Sequence, residues 1–233
     1  MNTIILDTET TGIEDPRLVQ LAYEVLGSEP VSEYFKPPKL IEFSAMAISH
    51  ITNGMVADKP SFEGSDVKSN LQDLLNDGVL VAHNASFDIK VLEAEGVKCE
   101  KYICTMQCAQ HLLDYEGGYG MQELRYALNL NVDAVAHDAL GDIKVLKALF
   151  QFLMSKMDGD YDSNIKKMIE LTQKPIVLKM VTFGKHKGMK WSEVPISYLS
   201  WLYNSEMQKP FEERNLNIIA TTQHYLNNQQ NKI

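Results

Sequence analysis

Long apolar runs are missing from this chain of 233 residues. No stretch approaches the ~18 apolar residues that a membrane-spanning helix needs, so no membrane partner is expected. Cysteine is scarce. Cys99, Cys104 and Cys108 are too few and too close together for a disulfide framework, and their odd number fits a reducing compartment. A zinc site using Cys104, Cys108 and the nearby His111 is disfavoured, because both cysteines sit in an apolar, helical-looking run. No basic, apolar, small-residue leader opens the chain; Met1 leads almost at once into Ile4-Ile5-Leu6, which predicts a cytoplasmic protein. Positive charge is also short: Lys and Arg number 22 against 31 Asp and Glu, a formal net charge of −9. That balance lends no support to a polyanionic partner, since basic patches supply affinity there. It does not exclude one. Acids that hold divalent cations are partly neutralised when loaded, and Lys166, Lys167, Lys174, Lys179, Lys185, Lys187 and Lys190 crowd into a stretch whose one acid is Glu170.

What is present suits a globular protein, with 45% apolar and 23% charged residues and a length for one large domain with a small appendage. Residues 2–7, 18–26 and 31–35 read as strands, closely enough spaced for an antiparallel meander. Ser44 is placed to cap a short helix through Ile48, and Pro60-Ser61 to start a longer one ending near Asn76. Residues 78–82 form a short continuous apolar run of the buried-strand type. A helix is expected from Ile89 to Gly96, a brief strand at 102–104 and helices over 105–113, 121–128 and 139–157. Gly117-Gly118-Tyr119-Gly120 reads as a flexible, exposed loop. Composition changes near Met157, giving a domain over 1–157, a linker over 158–172 and a small αβ module over 173–233, in which Trp191, Trp201 and Tyr203 are expected in the core rather than as stacking platforms.

The chemistry-bearing stretch is Asp7-Thr8-Glu9-Thr10-Thr11-Gly12, directly behind the first apolar run. On a strand, residues i and i+2 point to one face, roughly 6.5–7 Å apart. Two carboxylates held so repel each other unless a cation lies between them, and Mg²⁺ or Mn²⁺ prefers such oxygen ligands. A strand ending in a polar turn is the plainer alternative for an acid-x-acid pair alone. More acids arrive later. Asp88 follows the buried strand where a helix begins. In His137-Asp138-Ala139-Leu140-Gly141-Asp142, a cap at Asp138 would set Asp142 one turn into the helix. His137 would then stand on the preceding loop, with a pKa suited to a general base at neutral pH.

In this order the residues resemble the DEDDh 3′–5′ exonuclease family, related to DnaQ. The likeness rests on DTETTG at 7–12, HNASFD at 83–88 and HDALGD at 137–142, with His50-Ile51-Thr52 between the first two, and covers roughly residues 1–155. AMAISHITNGMVADKP at 45–60, YICTM at 102–106, FGKHKG at 183–188 and YLSWLYN at 198–204 are most similar to the exonuclease X branch, which extends the likeness over nearly the whole chain. The resemblance implies a ribonuclease-H-like α/β fold: a mixed five-stranded sheet, three antiparallel strands then two parallel, flanked by helices. It implies that Asp7, Glu9, Asp88 and Asp142 hold two Mg²⁺ or Mn²⁺ ions, that His137 serves as base, and that nucleoside 5′-monophosphates leave from a 3′ end. Thr10 and Gly12 would contact the terminal nucleotide, and His50 its sugar or phosphate. Ile13 would press on the last base or else sit in the core; Phe87 has the same two alternatives. Asn84 would tie down its loop near the substrate. Lys185 and Lys187 would touch the DNA backbone or simply be solvated at a turn. DNA repair or end processing is the expected setting, on single strands or duplex ends. RNA trimming, a polymerase proofreading subunit and a non-catalytic nucleic-acid-binding or partner-docking protein are the alternatives, and a homodimer is compatible with each.

Overall fold

The protein is described by a computed structural model over residues 2–134 and 138–230, with side chains described to residue 228. Its first unit comprises residues through Leu112 together with Gly118–Thr172. At its centre lie β1 (Thr3–Thr10), β2 (Leu18–Val25), β3 (Val31–Tyr34), β4 (Val79–Ala82) and β5 (Tyr102–Cys104). Their order across the sheet is β3-β2-β1-β4-β5. β2 pairs antiparallel with both β1 and β3, and β4 pairs parallel with β1 and β5. This is the mixed five-stranded α/β sheet of the ribonuclease-H-like expectation. The ladder between β1 and β2 slips right after Glu9, where Glu9 faces Gln20 but Thr10 faces Leu18. Bulges of this kind twist and re-aim a strand, and they gather next to active sites.

The helices of this unit are α1 (Phe43–Ser49), α2 (Asn53–Val56), α3 (Asp66–Asp77), α4 (Ser86–Ala94), α5 (Thr105–Leu112), α6 (Met121–Ala127), α7 (Ala139–Met154) and α8 (Tyr161–Gln173). Alternation along β1 sorts them. Ile4 and Leu6 join one core with Leu71 and Leu75 of α3 and Val91 and Leu92 of α4. Each fully buried leucine there stabilises the fold by about 1.5–3 kcal/mol. α7 packs on β1 and β2 and buries Ile143, Leu146, Leu149, Phe150 and Leu153. Two ion pairs fasten these layers. Arg17 grips Glu95 through Nε at 2.8 Å and Nη2 at 3.1 Å, and the Leu18 amide donates to the same carboxylate. Lys147 of α7 reaches Glu24 of β2 at 2.7 Å.

Several boundaries differ from the sequence reading for local reasons. α1 is preceded by Glu42 at the cap position, and Ser44 lies inside it, its hydroxyl turned back to the Glu42 carboxylate. α3 begins only at Asp66, because Ser65 accepts from the Lys68 amide and so takes the capping role. α4 begins at Ser86, three residues early, which puts Asp88 inside its first turn. Residues 158–172, read as a linker, contain α8, where Ile165 and Met168 are buried. Thr172 accepts the Cys104 amide at 2.9 Å, so α8 satisfies a donor of the outer strand β5. The loop read as free is anchored: the Tyr119 carbonyl meets His83 Nε2 at 2.8 Å, and the Gly118 amide donates to Glu123 at 2.6 Å.

The second unit comprises Leu113–Gly117 and residues 173 onward. It holds α9 (Ile196–Met207), α10 (Leu216–Gln230) and single 3-10 turns at Gly184–His186, Trp191–Glu193 and Phe211–Glu213. Of the β part of the expected αβ module, the described residues have one isolated antiparallel bridge, Met180 to Lys190. The core is Trp191, Val181, Val194, Leu199, Leu202 and Ile218. The buried Trp191 indole donates to the Met180 carbonyl at 3.0 Å. Trp201, expected inside, is 58% exposed. Lys179 pairs with Asp114 and Lys190 with Glu116, which ties 113–117 to this unit.

Candidate active site

Asp7 and Glu9 alternate with Leu6 and Thr8 on β1, so they look away from the α3–α4 core and toward α7. Asp142, one turn into α7, meets them there. One carboxylate oxygen from each of the three lies within 4.8 Å of the others. The position of Asp142 is set by its helix start. Asp138 is extended at φ −124° and ψ 116°, and its side chain accepts from the Gly141 amide at 3.3 Å. Asp138 also accepts from Gln20 Nε2 at 3.2 Å, which pins the cap to β2.

Asp88 arrives from the opposite side of the sheet. It is buried in the first turn of α4 and accepts a hydrogen bond from the Thr8 hydroxyl at 2.8 Å. It stands outside the three-acid group yet within electrostatic reach of it. Burial, then repulsion from Asp88, Asp142 and Glu9, holds Asp7 well above the usual carboxylate range. Burial, then Asp142, Asp138 and Asp88, pushes Glu9 up to about 8. Burial raises Asp88 to about 7, against the pull of the Thr8 hydrogen bond. A protein has little reason to gather acids so unless a cation compensates them, and these are hard oxygen donors suited to Mg²⁺ or Mn²⁺.

Two hollows meet at this point. A cleft of about 410 Å³ is lined by Asp7, Thr8, Glu9, Gly120, Met121, Gln122, Glu123 and Asp142. A smaller one of about 180 Å³ is lined by Thr8, Glu9, Thr10, Gly12, Ile13, Ser44, Ala45, Ile48 and Phe87. Thr8 and Glu9 belong to both. Ile13 is 79% exposed at the rim of the second, so it is not a core residue, and Phe87 is half-buried in its wall. Thr10 is buried and its hydroxyl donates to the Gly12 carbonyl at 3.0 Å, shaping the turn. Over Gly12, a Cβ would meet the Glu42 carboxylate at 2.4 Å, so this side chain from the start of α1 lies directly against the turn.

The remaining expected residues spread more widely. His50 is exposed at the end of α1 in the left-handed region, φ 59°, outside the lining of either hollow. Asn84 is also left-handed, φ 59°, a conformation asparagine tolerates, and its carbonyl accepts from the Phe87 amide at 2.9 Å. Lys185 and Lys187 are exposed in the second unit. His137 lies outside the described residues. Sequence reasoning missed Gln122, whose Nε2 donates to Asp142 at 2.8 Å and whose Oε1 accepts from Arg125 at 3.2 Å. It also missed His83, although HNASFD begins with it. A glutamine at the second position of a short helix carries no signal of its own.

Comparison with known proteins follows the same outline. Residues 4–150 match the RNase T exonuclease family. Exodeoxyribonuclease 10 of Escherichia coli K12 is 33% identical, over 96% of this chain and 98% of its own. The DNA polymerase III epsilon subunit of Treponema pallidum is 31% identical over 72% of this chain and 86% of its own. The solved structure of exonuclease X in complex with 5′ overhanging duplex DNA superposes with a TM-score of 0.59 and 30% identity, covering 73% of this chain and 99% of that one. A zinc-bound complex of Escherichia coli ExoI with single-stranded DNA, at a TM-score of 0.56 and 18% identity, shares the fold.

Proposed function

This chain belongs to the RNase T/DnaQ-like exonuclease family, and on that footing we propose that it removes nucleoside 5′-monophosphates one at a time from DNA 3′ ends. The observation that carries the reading is the meeting of the acid cleft and the apolar hollow at Thr8 and Glu9. Phosphate chemistry and a base-sized apolar surface stand side by side.

Asp7, Glu9 and Asp142, with Asp88 beside them, are the residues that would hold two Mg²⁺ or Mn²⁺ ions. Bound there, such ions neutralise the scissile phosphate and make water a better nucleophile. Asp7 and Glu9 are held by the β1 ladder and Asp142 by the capped start of α7, so the backbone keeps these three donors side by side. Asp88 is kept in place by Thr8. His137 immediately precedes the capping Asp138 in the chain and is assigned to take a proton from the attacking water. Ile13 and Phe87 would enclose the terminal base. Ile13, standing at the rim, would press between the last pair, at a cost of a few kcal/mol for a paired base and less for a frayed one. Thr10 and Gly12 form the floor of this hollow. Trimming in DNA repair or end processing would use this chemistry.

The test is purified protein with Mg²⁺ or Mn²⁺ on matched DNA and RNA oligonucleotides labelled at the 5′ end. A ladder descending one nucleotide at a time on DNA is expected. Shortening of RNA alone would move the substrate to RNA, whose 2′-OH is the distinguishing group. No shortening of either would remove the reading.

A further inference from the structure

The second unit carries a surface that the cleavage chemistry leaves unused. On α9, Tyr198 and Trp201 are i and i+3, so they share a face. Their rings lie 5.3 Å apart and tilted by 40°. His186, on the 184–186 turn, stands edge-on to Tyr198 at 4.5 Å and 72°. The turn sits so close that a Cβ on Gly184 would meet the Tyr198 hydroxyl at 3.1 Å, and the φ of +66° there also favours glycine. The result is a row of rings, His186–Tyr198–Trp201, with the Trp201 indole in solvent. Lys185 and Lys187 stand exposed on either side of His186. Neither has an acidic partner among the described residues, whereas Lys179, Lys190 and Lys209 are engaged by Asp114, Glu116 and Glu206.

Charge singles out the same unit. The chain as a whole is at −9, yet in 113–117 and 173–233 the eight lysines and arginines outnumber the six acids. We infer that the Trp201–Tyr198–His186 row, with Lys185 and Lys187, is a binding surface for single-stranded nucleic acid, the rings stacking on bases and the ammonium groups meeting phosphates. Every base offers a flat face, so stacking on such a row is tolerant of sequence. Lysine is depleted at the centre of protein–protein interfaces, which disfavours a protein occupant for a lysine-flanked row. The choice of DNA as the strand rests on the function proposed above; the stacking chemistry does not.

Trp201 reports on its own surface. The chain has two tryptophans, and Trp191 is fully buried. Oligothymidylate is titrated into the full chain with a chelator present to prevent cleavage, and tryptophan emission and affinity are followed. Quenching is expected. W201F should bind within about threefold of wild type with the quench lost, because phenylalanine still stacks. W201A should bind about tenfold more weakly. K185A/K187A should weaken binding and lower the slope of log affinity against log salt by roughly 1.4, about 0.7 for each phosphate no longer neutralised. Wild-type emission indifferent to the oligonucleotide would overturn the inference, as would W201A and K185A/K187A binding like wild type. Emission that instead changes with protein concentration, alongside a dimer in sedimentation, would also overturn it and make this face a contact between copies. Nucleotide release by the wild-type chain, measured separately, decides the exonuclease reading whatever the quench shows.

Discussion

His83 should make the fold sensitive to acid, by an amount the structure sets. Its Nε2 faces the Tyr119 carbonyl at 2.8 Å and its Nδ1 the Thr105 hydroxyl at 2.9 Å. A carbonyl only accepts, so Nε2 carries the proton and Nδ1 accepts from Thr105. A second proton on Nδ1 would reverse that bond, the Thr105 hydroxyl then donating to the Ala82 carbonyl 3.3 Å away. Burial, which penalises the charged ring, lowers the imidazole from 6.5 to about 4, against the pull of the Tyr119 carbonyl. The folded pKa lies below the unfolded one, so the stabilisation is complete above pH ~6.5 and is lost as pH falls toward ~4. Between about pH 7.5 and pH 5 the loss is about 2 kcal/mol, or roughly 4–8 °C in the melting midpoint of a chain this long. Glu9 and Asp88, raised in the folded state, act in the opposite sense: without metal, their protonation on acidification stabilises the fold. The assay is accordingly a difference. Thermal unfolding in chelator is followed over this range for wild type and His83→Gln, whose amide can still donate to Tyr119. The variant should lose less stability on acidification by that margin. Parallel curves would refute the reasoning.

Three further outcomes are expected. Gln122→Ala removes the donor to Asp142, and nucleotide release should fall about 10–100-fold with a raised metal requirement, read as rate against Mn²⁺ concentration. Glu9→Gln should abolish release, yet stabilise the metal-free protein near pH 8.5 by about 1–2 kcal/mol, a value discounted for the partial exposure of the side chain. Chelated thermal melts measure that gain. Ile13→Ala should leave stability within about ±0.5 kcal/mol, because the side chain is in solvent. It should slow trimming of a blunt duplex more than of a single strand, which a side-by-side time course would show.

The sheet was legible because its strands are short apolar runs bounded by turns, and the meander followed from their spacing. The acids were legible through their order along the chain. β5, at three residues, was barely so, because a run that brief carries little periodicity. α8 was misread as a linker since most of its length is polar and only Asn164, Ile165, Met168 and Thr172 face inward. α3 and α4 were misjudged at their starts, where a serine cap or an early turn outweighed the apolar stripe. Trp201 was assigned to the core by residue type, yet Leu199 and Leu202 take the inward face of α9 and leave the indole outside. The Gln122–Asp142 hydrogen bond joins residues twenty apart through tertiary packing, which no local pattern announces.

The most direct test of the central claim, that Asp7, Glu9, Asp88 and Asp142 gather divalent ions to cut from a 3′ end, is a metal titration of nucleotide release. A 5′-labelled single strand is incubated with chelated protein as Mn²⁺ is restored. Shortening should be absent at first, should appear as the sites fill, and should proceed one nucleotide at a time from the 3′ end. Shortening that persists under chelation, or a strand that stays intact at saturating Mn²⁺ and Mg²⁺, would contradict it.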